Sequence, residues 1–183
     1  MRAILTWHSL DRSGSPISVA PEEFRRQVEW LAASAVQVVG VERLLELPDD
    51  ADAAALTFDD GFANFAVEAA PVLGEYGLPS TIFVVTGHVG GDNRWGAREE
   101  AGIPSLPLLC WDELARLRET GVALAAHTKT HPRLPGLDAG TLEREIAGAA
   151  DEMELHLGRR PEGFAYPYGE AGSAAEEVVA RSY

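Results

Sequence analysis

The sequence predicts an α/β fold built on a largely parallel sheet or barrel. Two observations carry this expectation. Apolar runs of about five residues alternate with longer stretches of helical periodicity. Most polar residues of chemical interest directly follow those runs, at the strand ends where such folds place their sites.

Ala3 to Trp7 reads as a buried strand. Pro21 opens a helix to about Ala33, because Phe24, Val28 and Leu31 recur at helical spacing and proline is tolerated in a first turn. Val36 to Val39 is a short strand, Val41 to Leu47 a short helix ended by Pro48, and Asp49 to Asp52 an acidic loop. Ala54 to Phe58 is a buried strand. Asn64 to Tyr76 is a helix with Gly77 where a C-terminal cap belongs. Thr81 to Val85 is a strand rich in β-branched residues. Gly87 to Leu108 is a loop rich in glycine and proline, with Trp95 in its middle. Trp111 to Thr120 is a helix stopped by Gly121, and Val122 to Ala126 a strand. Asp138 to Leu157 is a long helix ending at Gly158, Gly163 to Tyr166 a short strand, and Ser173 to Arg181 a final helix.

At 183 residues the chain suits one domain, residues 1–183. A core of that size buries roughly 70% of the unfolded surface, so folding needs no disulfide or metal staple. Cys110 is the only cysteine and reads as a small buried hydrophobe. The net charge of −14 argues against nucleic acid or an anionic membrane as the main partner. No apolar stretch reaches about 18 residues, so no helical membrane span is expected. The short apolar N-terminus lacks the features of a signal peptide. The expectation is therefore a cytoplasmic protein, although a trimmed piece of an extracellular or envelope protein would read the same. The oligomeric state is not legible. Lys129 is the only lysine, a bias without a mechanistic reading at this level.

Two segments carry the chemistry. Asp59 and Asp60 follow the Ala54–Phe58 strand and precede Gly61, which permits a sharp turn. Two adjacent carboxylates there point different ways, so one can hold a metal while the other faces a substrate. A solvated Asp-Asp-Gly turn is the plainer alternative. His127 and His131 follow the Val122–Ala126 strand. At i, i+4 they would share one face of a helical turn and grip one metal. Two histidines and one carboxylate leave coordination positions open, as in a catalytic metal site. His88 reads as a solvent-facing loop residue, His156 as a helix-end residue, and Trp111 as packing at a helix start.

These residues resemble a known family. Thr57-Phe58-Asp59-Asp60-Gly61, the His127–His131 pair and Phe164-Ala165-Tyr166-Pro167-Tyr168-Gly169 are similar, in order and rough spacing, to three motifs of the polysaccharide deacetylases. These are the NodB-homology enzymes of carbohydrate esterase family 4. The resemblance spans about residues 3 to 170 and implies a distorted parallel β/α barrel with about seven or fewer strands. It implies a hydrolase acting on C–N bonds other than peptide bonds, removing N-acetyl groups from an N-acetylglucosamine-type polymer or oligomer. Asp60, His127 and His131 would hold a divalent metal, usually zinc, with nickel, cobalt, iron or manganese as alternatives. Water held by the metal would attack the acetamide, with Asp59 as base. Tyr166, Pro167, Tyr168 and Trp95 would contact the acetylated carbohydrate.

Two departures stand out. Many members carry an arginine at the position of Ala165, where it orients the catalytic carboxylate, so Asp59 needs another partner. The C-terminal motif that supplies the general-acid histidine is missing, and the domain reads as C-terminally short. Ile4-Leu5-Thr6-Trp7-His8 resembles instead the N-terminal strand of the poly-N-acetylglucosamine deacetylase subgroup, whose motif order looks circularly permuted. That makes His8 the candidate acid. Hydrolysis of a small non-sugar amide, or a metal-retaining carbohydrate-binding pseudoenzyme, are the alternatives.

Overall fold

The computed structural model describes residues 1–96 and 102–183. Its strands are β1 (Arg2–Trp7), β2 (Ser9–Leu10), β3 (Ser18–Val19), β4 (Gln37–Val38), β5 (Ala53–Phe58), β6 (Thr81–Val84) and β7 (Ala123–Ala126). Its α-helices are α1 (Pro21–Ala33), α2 (Val41–Glu46), α3 (Ala70–Tyr76), α4 (Trp111–Glu119), α5 (Ala139–Leu157) and α6 (Ser173–Ser182). The fold is α/β with a parallel main sheet in the order β1-β5-β6-β7, extended by a parallel bridge between Ala126 and Phe164. One edge of β5 takes β4 along Ala53 and Ala54 and β6 along Thr57 and Phe58, while its other edge takes β1 throughout. Among the described residues β1 has no partner on its outer edge, and Ile4 beside it is 51% exposed. No described helix is long and apolar enough to cross a membrane.

The sequence placed most elements within a residue or two; it did not foresee the short β2–β3 pair, and three further elements differ. The predicted Asn64–Tyr76 helix is a π-helical stretch, Phe65–Ala69, running into α3. Pro71 has no N–H to give and its ring crowds the carbonyl four residues earlier, so the preceding turn widens. The predicted Gly163–Tyr166 strand is only the Phe164 bridge, held by Ala126 N–H to Gly163 O and Ala165 N–H to Ala126 O. Pro161 and Pro167 flank it and cannot extend a ladder. The predicted loop 87–108 is pinned by antiparallel bridges of Asp92 to Pro107 and Phe62 to Leu108. Residues 97–101 of that loop lie outside the described residues.

The core between the sheet and its helices supports the strand ends. Trp7, Phe24, Phe58 and Phe65 pack edge to face or stacked, with ring centroids 4.7 to 5.7 Å apart. Trp7 and Phe58 directly precede His8 and Asp59, so both polar residues stand on a rigid aromatic base. A smaller cluster of Leu134, Leu142, Ile146, Ala175 and Val178 joins α5 to α6. Cys110 is half-buried rather than buried, because it caps α4: its N–H donates to Glu113 at 2.8 Å.

Candidate active site

Parallel register brings the polar residues together. β1 pairs with β5 so that Trp7 lies beside Phe58, and His8 and Asp59 leave the sheet side by side. β7 ends at Ala126, and His127 continues the ladder by donating its N–H to Val84 O at 2.8 Å. A cavity of about 410 Å³ opens over these strand ends. It is lined by His8, Asp59, Asp60, Trp95, His127, His131, Tyr166 and Tyr168, among others. Pro167 is buried behind that wall.

The backbone bends sharply to make this surface. Asp60, Thr128, His131 and Tyr168 are the non-glycine residues with positive φ among the described residues, at 60° to 70°. All four belong to the site or its ligand loop. Such residues are uncommon outside functional positions. The turn at Asp60 (φ 70°) and Gly61 (φ 77°) breaks strand alternation, so both carboxylates reach the same cavity.

The histidine pair does not lie on a helical turn, contrary to the expectation from spacing. Residues 127–131 form a loop closed by His131 N–H donating to Thr128 Oγ1 at 3.0 Å. The other backbone groups of this loop bond to Thr86, Gly87 and Glu145 rather than to each other.

The ligand atoms fit one small cation. His127 Nε2 and His131 Nε2 are 3.2 Å apart, and Asp60 Oδ1 lies 3.8 and 3.4 Å from them. A tetrahedral ion bound at about 2.05 Å spaces its ligands about 3.3 Å apart. His127 Nδ1 lies 2.9 Å from Ala165 O, which can only accept, so Nδ1 carries the proton and Nε2 keeps its lone pair. Asp60 Oδ1 is buried without a hydrogen-bond partner among the described residues, as is His131 Nδ1. A buried acceptor left unpaired is costly unless something absent from the structure satisfies it.

Electrostatics point the same way. Burial pushes Asp59 up to about 7, and burial with the Asp59 charge pushes Asp60 up to about 7. Burial brings His127 down to about 4 and, helped by His127, His131 down to about 3. Burial lowers His8 as well. The protein thus gathers two carboxylates and three neutral imidazoles with no cation of its own among the ligands.

Other expectations are placed as follows. Trp95 stacks obliquely on His131 (5.4 Å) and His88 (4.7 Å), so His88 supports the cavity wall rather than facing solvent alone. Trp111 starts α4 and stacks on His156 at 4.5 Å. No side chain among the described residues hydrogen-bonds the Asp59 carboxylate, and Ala165 offers only its carbonyl. Arg159 and Arg160 pair with Glu162, Asp151 and Glu154 instead. Sequence reasoning missed Arg133, which lines the cavity, lies 4.3 Å over the Tyr168 ring and pairs with Glu170. It also missed Asn93, which is 2% exposed and bonds Pro104 O and Leu106 N. Nothing in a lone Arg or Asn gave the signal.

A parallel α/β fold with an Asp-His-His cluster at its strand ends has the layout of an α/β enzyme with a candidate metal site. Comparison with known proteins gives the family. A profile described as polysaccharide deacetylase matches residues 46–182, and the chain belongs to that family. YxkH of Bacillus subtilis, named for polysaccharide deacetylation, is 26% identical over 171 residues, covering 91% of this chain and 56% of its own. The poly-beta-1,6-N-acetyl-D-glucosamine N-deacetylase of Staphylococcus epidermidis is 25% identical over 165 residues, covering 83% and 54%. The chain thus spans about half the length of these curated relatives. The solved structure of IcaB from Ammonifex degensii superposes with a TM-score of 0.85 at 23% identity, over 99% of this chain and 80% of that one. PplD from Streptococcus pyogenes, solved with acetate, superposes with a TM-score of 0.80 at 21% identity, over 98% and 79%. These neighbours share the distorted parallel barrel.

Proposed function

We propose that the chain hydrolyses N-acetyl groups on an N-acetylglucosamine-type polymer or oligomer, using a divalent metal held by Asp60, His127 and His131. The observation that carries this is the near-tetrahedral spacing of Asp60 Oδ1, His127 Nε2 and His131 Nε2, together with the unpartnered Asp60 oxygen. The donor set of one carboxylate and two imidazoles suits zinc first, and leaves room for water and substrate. When bound, such a metal polarises an acetamide carbonyl and acidifies water.

The residues divide the remaining work. Asp59 takes the proton of the attacking water, and a carboxylate whose pKa burial raises to about 7 is matched to that task at neutral pH. Burial alone raises that pKa, and no cationic side chain among the described residues pairs with Asp59 to lower it again. His8, neutral at rest because burial lowers its pKa, stands beside Asp59, takes up the proton that Asp59 draws from water and hands it to the leaving amine. Its lowered pKa makes its imidazolium a stronger acid. Trp95 and Tyr168 present ring faces to the sugar, and Tyr166 and Pro167 fix that wall. Names of the relatives support the substrate class: the Staphylococcus epidermidis protein is named for a poly-N-acetylglucosamine.

The test is acetate release from N-acetylglucosamine oligomers by metal-loaded and chelated protein. Release is expected only from the loaded form. Asp59→Asn is expected to lose turnover and keep its metal. Chelator-resistant turnover, or loss of metal in Asp59→Asn, would overturn the assignment.

A further inference from the structure

The ligand loop is held from behind by one face of α5. Thr128 (φ 65°) and His131 (φ 60°) have left-handed backbones, which residues with a Cβ disfavour. A loop of that shape keeps its form only when its surroundings fix it. Glu145, 9% exposed, supplies four such contacts, one from its backbone carbonyl, which accepts from Lys129 N–H at 3.0 Å, and three from its side chain. Its carboxylate accepts from Lys129 N–H (3.1 Å), Thr130 N–H (2.8 Å) and Thr130 Oγ1 (2.7 Å). Two turns along the same helix, Glu152 accepts from Lys129 Nζ and from Thr86 Oγ1, each at 2.5 Å. The amides of Thr86 and Gly87 then donate to the carbonyls of Thr128 (3.2 Å) and Lys129 (2.8 Å). The one lysine of the chain, unexplained by the sequence, is used here.

Neither glutamate lines the cavity. Both act on residues between the two histidines. A carboxylate network anchored on a buried glutamate and with its hydrogen bonds satisfied rigidifies what it touches. Residues that orient ligands in this indirect way change metal affinity when removed, typically 10–100-fold.

We propose that Glu145, backed by the Glu152–Lys129 pair, is a positioning residue that sets metal affinity by fixing where His131 points. The inference rests on the metal reading of the Asp60, His127 and His131 cluster.

The test is zinc titration of the chelator-stripped chain against a chromophoric competitor, with Co(II) spectra to report coordination geometry. Glu145→Gln keeps the side-chain size and removes the charge. It is expected to bind zinc about 10- to 100-fold more weakly and to shift the Co(II) absorption bands. Thr130→Val removes one donor without touching the glutamate and is expected to weaken zinc binding, while Thr130→Ser restores it. That pair decides the matter should Glu145→Gln fail to fold. Wild-type zinc affinity in Glu145→Gln or in Thr130→Val, whatever their melting temperatures, would overturn the positioning role. Absence of zinc binding by the unmodified chain would overturn the metal reading itself, and the inference with it.

Discussion

Asp59 donates its backbone N–H to the carbonyl of Trp7 at 2.9 Å. That bond closes the β1–β5 ladder and sends His8 and Asp59 into the cavity as neighbours. In the proposed mechanism that proximity lets Asp59 and His8 move a proton from water to an amine. His8→Ala is therefore expected to lower kcat by about 10²- to 10⁴-fold with metal content unchanged. Steady-state kinetics alongside metal analysis checks this, and wild-type turnover would remove His8 from the mechanism.

The pH dependence follows from opposed shifts. In metal-free protein Asp59 and Asp60 sit at about 7, raised from 3.8, so their contribution to stability is full below 3.8 and lost as pH rises through 7. His127 at about 4 and His131 at about 3, lowered from 6.5, contribute fully above 6.5 and lose that as pH falls through 4 and 3. Between about pH 4 and 6.5 the two pairs cancel, and metal-free stability is expected to be nearly flat. Metal affinity behaves differently, because binding must expel the carboxylate protons while the histidines are already neutral. It is expected to fall below pH 7 by about tenfold per unit for each proton released. Calorimetry in buffers of different ionisation enthalpy counts those protons. Affinity that stays level from pH 7 to 5 would contradict the raised carboxylates.

Gly87 shows how tightly the ligand loop is seated. A Cβ there would meet the Lys129 carbonyl oxygen at 2.7 Å, too close for any real contact. Gly87→Ala is expected to push residues 127–131 out of place, costing about 1–3 kcal/mol of stability and weakening metal binding. Gly74→Ala is the control, since a Cβ there has open space within α3. It is expected to hold or raise the melting temperature by the helix preference for alanine. Equal metal affinity in Gly87→Ala and Gly74→Ala would mean the loop adjusts freely.

The convergence of Asp59, Asp60, His127 and His131 on one cavity was legible because parallel α/β folds gather polar residues at strand ends, and strands announce themselves by apolar runs. The shape of their surroundings was not. Spacing alone suggested a helical turn for His127 and His131, but the hydrogen bonds that decide otherwise come from Thr86 and Glu145, 41 and 14 residues away from His127 and His131. Pro71 marks the π-helical entry to α3, but apolar periodicity continues through it and reads as one helix. Phe164 paired over a single residue, since flanking prolines limit a ladder that β propensity favours. Arg133 is undistinguished until the fold lays it across Tyr168.

The outer edge of β1 has one more consequence. Among the described residues its outward N–H and C=O groups have no strand partner, with Ile4 51% exposed and Trp30 on α1 66% exposed. Arg2 is the only charge on that strand, and its guanidinium is occupied by the carbonyls of Leu44, Leu45 and Leu47 and by Asp49. No lysine, proline or bulge guards the row against a foreign strand. Aggregation of the isolated chain at high concentration is thus expected to start at this edge, on the same strand that delivers His8. A charge at residue 4 would be the economical way to keep it monodisperse.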